Sequence, residues 1–142
     1  MLQLNSALDY AVRIKGEGGP QIMIEMKYLP ALSSNRRLTR NRYTGQTVLR
    51  GEVSSWMAEL GWLVKVLMRI IDVPFKLPVK VVVAGVFKDN RYPDCHNFHK
   101  AIGDGIKQGL GIDDKFYVFE DLPPQVVKGC QPKLVITIRE AE

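Results

Sequence analysis

The apolar residues change rhythm several times along the chain. Up to residue 15 the alternation is weak, through Leu8, Tyr10, Val12 and Ile14, and Gly16-Glu17-Gly18-Gly19-Pro20 is a strong turn signal. Ile22, Ile24 and Met26 then alternate with Gln21, Met23, Glu25 and Lys27. That period of two predicts a strand, in a hairpin with the segment before it. Pro30 ends it. Residues 31–46 carry few apolar side chains and many Ser, Asn, Thr, Gly and Arg, so they read as a loop. From Val48 to Ile71 the spacing becomes three-four. Val53, Trp56, Met57, Leu60, Leu63, Val64, Leu67, Ile70 and Ile71 make the stripe of an amphipathic helix, with Gly61 weakening its middle and Trp62 off the stripe.

Pro74 and Pro78 bracket a connection. Residues 79–87 are then dense in valine, the near-continuous apolar run of a central strand covered on both faces. After a polar loop, a second helix is expected from about Asp94. Phe98, Ala101, Ile102, Gly105 and Ile106 form its apolar stripe, and Gly109 and Gly111 mark its end. Strands are expected over 116–119 and 134–138. The order β, β, α, β, α, β, β predicts an α/β fold: one mixed sheet packed with two main helices.

Composition narrows the setting. A chain of 142 residues, 46% hydrophobic, is one domain's worth and can bury a core without staples. Two cysteines, Cys95 and Cys130, are too few for a disulfide framework. The apolar stretches are broken by Lys65, Arg69 and Asp72, so no membrane span is expected. A cytoplasmic setting is the default expectation. The net charge of +5 is mild, but it is local. No acidic residue lies between Glu25 and Glu52, where Arg36, Arg37, Arg40, Arg42 and Arg50 all fall. Fixed positive charge mixed with neutral Asn, Ser and Thr donors suits a phosphate backbone. A solvated surface loop is the plainer reading.

The densest chemistry is Pro93-Asp94-Cys95-His96-Asn97-Phe98-His99-Lys100, where a strand hands over to a helix. Ligands favour that place. Asp94 and His96 can point the same way, and a chain reversal after the helix can return Asp113-Asp114 towards them. Converging carboxylates bind a hard cation such as Mg²⁺, which activates water against a phosphodiester, with Lys100 facing the phosphate. Each piece also has a plain reading. Asp94 can be only a helix cap, Asp113-Asp114 only a turn, His96 and His99 half-buried histidines, and Cys95 a small core residue. A zinc-stabilised interaction module on His96, His99 and Cys95 is a further alternative, without the usual paired spacings.

These residues resemble the RusA family of Holliday junction resolvases. The similarity lies in Pro93 to Lys100, in the following Ala101-Ile102-Gly103-Asp104-Gly105-Ile106, and in Gly111-Ile112-Asp113-Asp114. It extends to Leu29-Pro30-Ala31-Leu32-Ser33-Ser34-Asn35-Arg36, to Leu77-Pro78-Val79-Lys80-Val81 and to the closing strand. The resemblance implies a single RusA-like domain over 1–142, with 1–20 as an extension or extra strand. It implies a homodimeric, Mg²⁺-dependent endonuclease that cuts four-way and other branched DNA by paired nicks, in a family that commonly travels with phages and prophages. Asp94 matches the first motif aspartate, Asn97 the asparagine, Lys100 the lysine and Asp114 the downstream aspartate, with Asp113 beside it. The implied metal set is Asp94, His96, Asp113 and Asp114. The implied catalytic set is Asp94, His96, Lys100 and Asp114. Asn35, Arg36, Arg37, Arg40, Arg42 and Asn97 are expected on DNA. One departure stands out: His96 occupies the second aspartate's position. An imidazole there weakens Mg²⁺ binding and favours Mn²⁺ or another transition ion, with His96 either a ligand or a general base that orients water. A junction-binding protein without cleavage is the rival reading on the same fold.

Overall fold

A computed structural model describes residues 2–5, 10–13, 19–33, 37–72 and 74–141, the first two stretches as backbone. Nine strands and two α-helices are described: β1 (Leu2–Asn5), β2 (Tyr10–Arg13), β3 (Gln21–Lys27), β4 (Leu38–Arg40), β5 (Thr47–Leu49), α1 (Gly51–Ile71), β6 (Val79–Phe87), α2 (His99–Leu110), β7 (Tyr117–Asp121), β8 (Gln125–Val126) and β9 (Lys133–Glu140). The main sheet runs β1-β2-β3-β9-β6-β7, with β8 continuing beside β6 where β7 stops. The strand at 21–27 does pair with the segment before it, antiparallel, Tyr10 opposite Ile24. All neighbours in this sheet are antiparallel except β6 with β7 and β8. A parallel pair needs a crossover, and α2 supplies it: β6-α2-β7 is a βαβ unit.

Alternation decides which sheet face is covered. Ile22, Ile24 and Met26 of β3, Val79, Val81 and Val83 of β6, and Leu134, Ile136 and Ile138 of β9 are buried in one cluster with the apolar stripes of both helices. The helix stripe is as expected except for Ile70, which is exposed. Trp56 ties α1 to the sheet: its indole Nε1–H donates to the Lys27 carbonyl at 2.7 Å. Among the described residues no helix covers the opposite sheet face. There Val82, Ala84, Val86, Val135 and Thr137 are only half-buried. The expectation that 79–87 is covered on both faces is therefore corrected. Its valines alternate between a helix-covered side and an open one, and valine's β propensity conceals the alternation.

Two further corrections concern local structure. The stretch 31–46 is not all loop. Pro30–Leu32 forms a 3₁₀ turn that buries Ala31 and Leu32, and β4 pairs with β5 as a separate small hairpin. Gly109 does not end the second helix. It lies within α2, where a Cβ would overlap the Gly61 carbonyl oxygen of α1. The end is Gly111, whose left-handed φ of 73° makes the helix cap. Gly61, likewise, is a contact point: a Cβ there would sit 2.8 Å from the Gln108 Cβ and 2.9 Å from the Gly105 carbonyl oxygen. Among the described residues no helix is long and apolar enough to cross a membrane.

Candidate metal centre

The site is built where β6 ends. Phe87, its last residue, stacks on Tyr92 with ring centroids 5.3 Å apart, which ties down the following loop. Asp89 tightens that loop by accepting from the Arg91 amide at 2.9 Å. Asp94 then caps a 3₁₀ turn, Cys95–Phe98, its Oδ1 accepting from the His96 amide at 3.0 Å. Cys95 and Phe98 point into the core. A 3₁₀ turn has three residues per turn, so positions i and i+3 eclipse. His96 and His99 accordingly share one side, with ring centroids 4.7 Å apart.

The third component arrives from β7. Parallel pairing with β6 brings the carboxyl end of β7 to the same sheet edge as the capped turn. Phe119 and Asp121 are two apart and share a face of that strand. Phe119 stacks on the His99 ring at 4.3 Å, and Asp121 Oδ1 lies 2.7 Å from His99 Nε2. The side chains of His99 and Asp121 are 17% and 28% exposed, so the pair is shielded yet reachable. The ligand atoms of His96, His99 and Asp121 all lie within 4.8 Å of one another. This is the one group of three such side chains so close together among the described residues. Two imidazoles and a carboxylate are a donor set that fits a divalent ion. Beside the group a cleft of about 510 Å³ opens, with Asp94 and Asp121 on its walls.

Lys100, Asp113 and Asp114 are joined in a second group, next to Gly103 of α2. Lys100 Nζ lies 3.3 Å from Asp104 Oδ1 and 3.8 Å from Asp114 Oδ2. Asp113 caps the 3₁₀ turn Asp114–Phe116, accepting from the Lys115 amide at 3.2 Å. That hydrogen bond first, and one with Asp114 next, hold its carboxyl below the usual range. The Tyr117 hydroxyl pins the same loop by donating to the Ile112 carbonyl at 2.7 Å. The structure thus brings His96 together with His99 and Asp121, while Asp113 and Asp114 sit with Lys100. Asp94 spends one oxygen on its cap and lines the cleft. Cys95 does not join the histidines. One step before His96 on the turn, it is turned to the core, and burial, then the Asp121 and Asp94 charges, push its thiol up.

Asp121 is a functional candidate absent from the sequence expectations, and His99 enters them only in the zinc alternative, with Cys95 where the structure has Asp121. The His-x-x-His spacing was visible as a signal, whereas Asp121 follows 22 residues after His99 and is brought near only by the sheet.

Of the residues expected on DNA, Asn97 is exposed on the 3₁₀ turn, and Arg37, Arg40 and Arg42 lie at or in the β4–β5 hairpin. Asn35 and Arg36 fall outside the described residues. At the hairpin tip Asn41 Oδ1 accepts from the Tyr43 amide at 2.9 Å and the Thr44 amide at 3.1 Å. Arg40 Nε donates to the Gly45 carbonyl at 3.3 Å, and Tyr43 projects with 91% of its surface exposed.

With this geometry in place, comparison with known proteins is decisive for the family. The family model for endodeoxyribonuclease RusA matches residues 28–139. The chain belongs to the RusA family. The match spans both helices, the capped turn, the Asp113-Asp114 pair and all but the end of β9. Strands β1, β2 and β3 precede it. RusA membership implies an endodeoxyribonuclease, and the family is one of Holliday junction resolvases. A search of the curated proteins finds no match.

Proposed function

We propose that this chain is a divalent-metal-dependent endonuclease that resolves four-way or other branched DNA by paired nicks, as a homodimer. The observation that carries the proposal is the RusA match over 28–139, which encloses Asp94 to Lys100 and Asp113-Asp114. The donor-rich carboxyl edge of the sheet and the acid-free Arg hairpin support it. Asp94, His96, Asp113 and Asp114 are assigned to the metal side of the site. A bound divalent ion supplies Lewis acidity to the phosphodiester and lowers the pKa of water. Lys100 is assigned to the phosphate: Asp104 and Asp114 steer its half-exposed ammonium, where it can meet charge developing on phosphate oxygens. Arg37, Arg40, Arg42 and Asn97, with Asn35 and Arg36, are assigned to the DNA backbone.

The open sheet face supports the dimer. Val82, Ala84, Val86 and Val135 are flanked there by the ion pairs Lys80–Glu120 at 2.5 Å and Lys133–Glu25 at 3.1 Å. An apolar centre with a charged rim is how an interface with a second copy is composed. Two symmetry-related sites suit two nicks in a two-fold junction.

The test is a synthetic four-way junction incubated with the purified protein and Mg²⁺ or Mn²⁺. Paired nicks are expected. Asp94→Asn should abolish them while junction binding persists. Binding without nicks under either ion would sink the enzyme reading and leave the non-catalytic junction binder, which His96 in an aspartate's place favours.

A further inference from the structure

We propose that His96, His99 and Asp121 form a zinc-class metal site, three protein ligands with a fourth position open, in which Asp121 supplies the carboxylate that His96 removes from the motif. The ion's role rests on the nuclease reading above, whereas its binding rests on the geometry alone.

Three observations converge. The ligand atoms already lie within 4.8 Å of one another. Ligands held at zinc's usual bond lengths of 2.0–2.1 Å are about 3.3 Å apart in a tetrahedron. The 2.7 Å pair of His99 and Asp121 therefore has to open slightly and the wider contacts to close, changes within side-chain rotation. Next, His99 is held in orientation by the Phe119 ring stacked on it at 4.3 Å, which reduces the entropy lost on binding an ion. Finally, a histidine–aspartate pair alone needs no third member. His96 is nonetheless delivered to it by the 3₁₀ period, and no hydrogen bond reaches its ring among the described residues.

Chemistry selects the ion. Mg²⁺ demands near-octahedral oxygen and keeps its waters, so two imidazoles serve it poorly. Zn²⁺ and Co²⁺ accept imidazole nitrogen and tetrahedral geometry. Three protein ligands and one vacant position is the pattern of catalytic rather than structural zinc.

The experiment uses the full chain stripped of metal by chelator. It is titrated with Co²⁺ followed by visible absorption, with Zn²⁺ and Mg²⁺ as competitors. One Co²⁺ per chain is expected, with the intense bands of low coordination, displaced by equimolar Zn²⁺ and not by millimolar Mg²⁺. His99→Gln and Asp121→Asn should each weaken Co²⁺ binding by about tenfold or more, while circular dichroism shows them folded. His96→Asp, a change at an exposed position, should lower the affinity for Zn²⁺ and raise that for Mg²⁺. Wild-type Co²⁺ affinity in His99→Gln and Asp121→Asn would overturn the site. So would displacement by Mg²⁺ as readily as by Zn²⁺. If either variant is unfolded, the His96→Asp exchange of preference decides. Junction cleavage on the same preparations separates the two proposals. Undiminished Mg²⁺-driven cleavage by His99→Gln overturns the ion's catalytic role. Tight Co²⁺ binding without cleavage under any ion supports the site and overturns the nuclease reading.

Discussion

At the scale of the residue, Tyr117 makes a simple claim about pH. Its hydroxyl is buried against the Ile112 carbonyl, and burial first, then Asp114 and Asp113, push its ionisation well above that of a free phenol, 10.0. The folded state therefore resists deprotonation more than the unfolded chain does. Its stabilising contribution is intact below a pH of about 10 and is lost as pH rises beyond that. Tyr117→Phe should cost roughly 1 kcal/mol at neutral pH, through the lost hydrogen bond. It should also flatten the fall in melting temperature between pH 9 and 11. A fall as steep as in the parent protein would mean that other groups carry it. The same scale shows what a sequence conceals. Asp94 could be read as a cap or as a ligand, and the fold uses one oxygen for the cap, an allocation that no residue type encodes. His96 was legible because it broke a motif. Asp121 was not, because with Glu120 it forms no spacing that points to a metal; only β7's parallel register brings it to His99.

At the scale of the element, the two helices were legible from their three-four spacing, and the strands β3 and β9 from theirs. The order of elements predicted one mixed sheet with two helices, and the parallel β6-α2-β7 crossover within it emerges only in the fold. What the pattern misjudged was glycine. In isolation Gly61 looks like a weak point and Gly109 like a stop, because propensity counts only the helix itself. Packing α1 on α2 reverses both readings. The two backbones touch through Gly61 and Gly109, an approach that a Cβ at either would block, and Gly105 packs tightly beside Leu60 and the Met57 carbonyl. Gly109→Ala should therefore destabilise the protein by roughly 1–3 kcal/mol, as overpacking does, although alanine is the better helix former. Urea unfolding measures this, and a stabilised variant would show that the helices can separate at no cost. The β4–β5 hairpin was illegible for another reason. It is three residues a side and pairs only with itself, so it buries too little to impose an alternation.

At the scale of the whole molecule, charge and shape make two predictions. The hairpin holds Arg40 and Arg42 in a segment without acids, so each should release about one counterion on meeting DNA. Arg40→Ala and Arg42→Ala should weaken junction binding regardless of sequence, and each should reduce the salt slope by about 1. Binding titrated from low to moderate salt reads the slope directly, and an unchanged slope would remove the hairpin from the interface. The open sheet face predicts assembly. If the parent is the proposed dimer, Val82→Lys or Val135→Glu should turn it into monomer in sedimentation with the fold intact; variants that stay dimeric would send the interface elsewhere, and a monomeric parent would overturn the dimer. One strand edge, finally, concerns the protein's behaviour in a crowded solution. Between β7 and β8 the outer edge is broken by Pro123 and Pro124, which have no amide hydrogen to offer. The Leu122 and Val127 amides donate inward to β6, to Val83 and Phe87. A passing strand thus finds a gap of two donors where it would need a continuous row. Beside the cleft, the same pair that breaks the strand also guards the protein against growing into a fibre from that side.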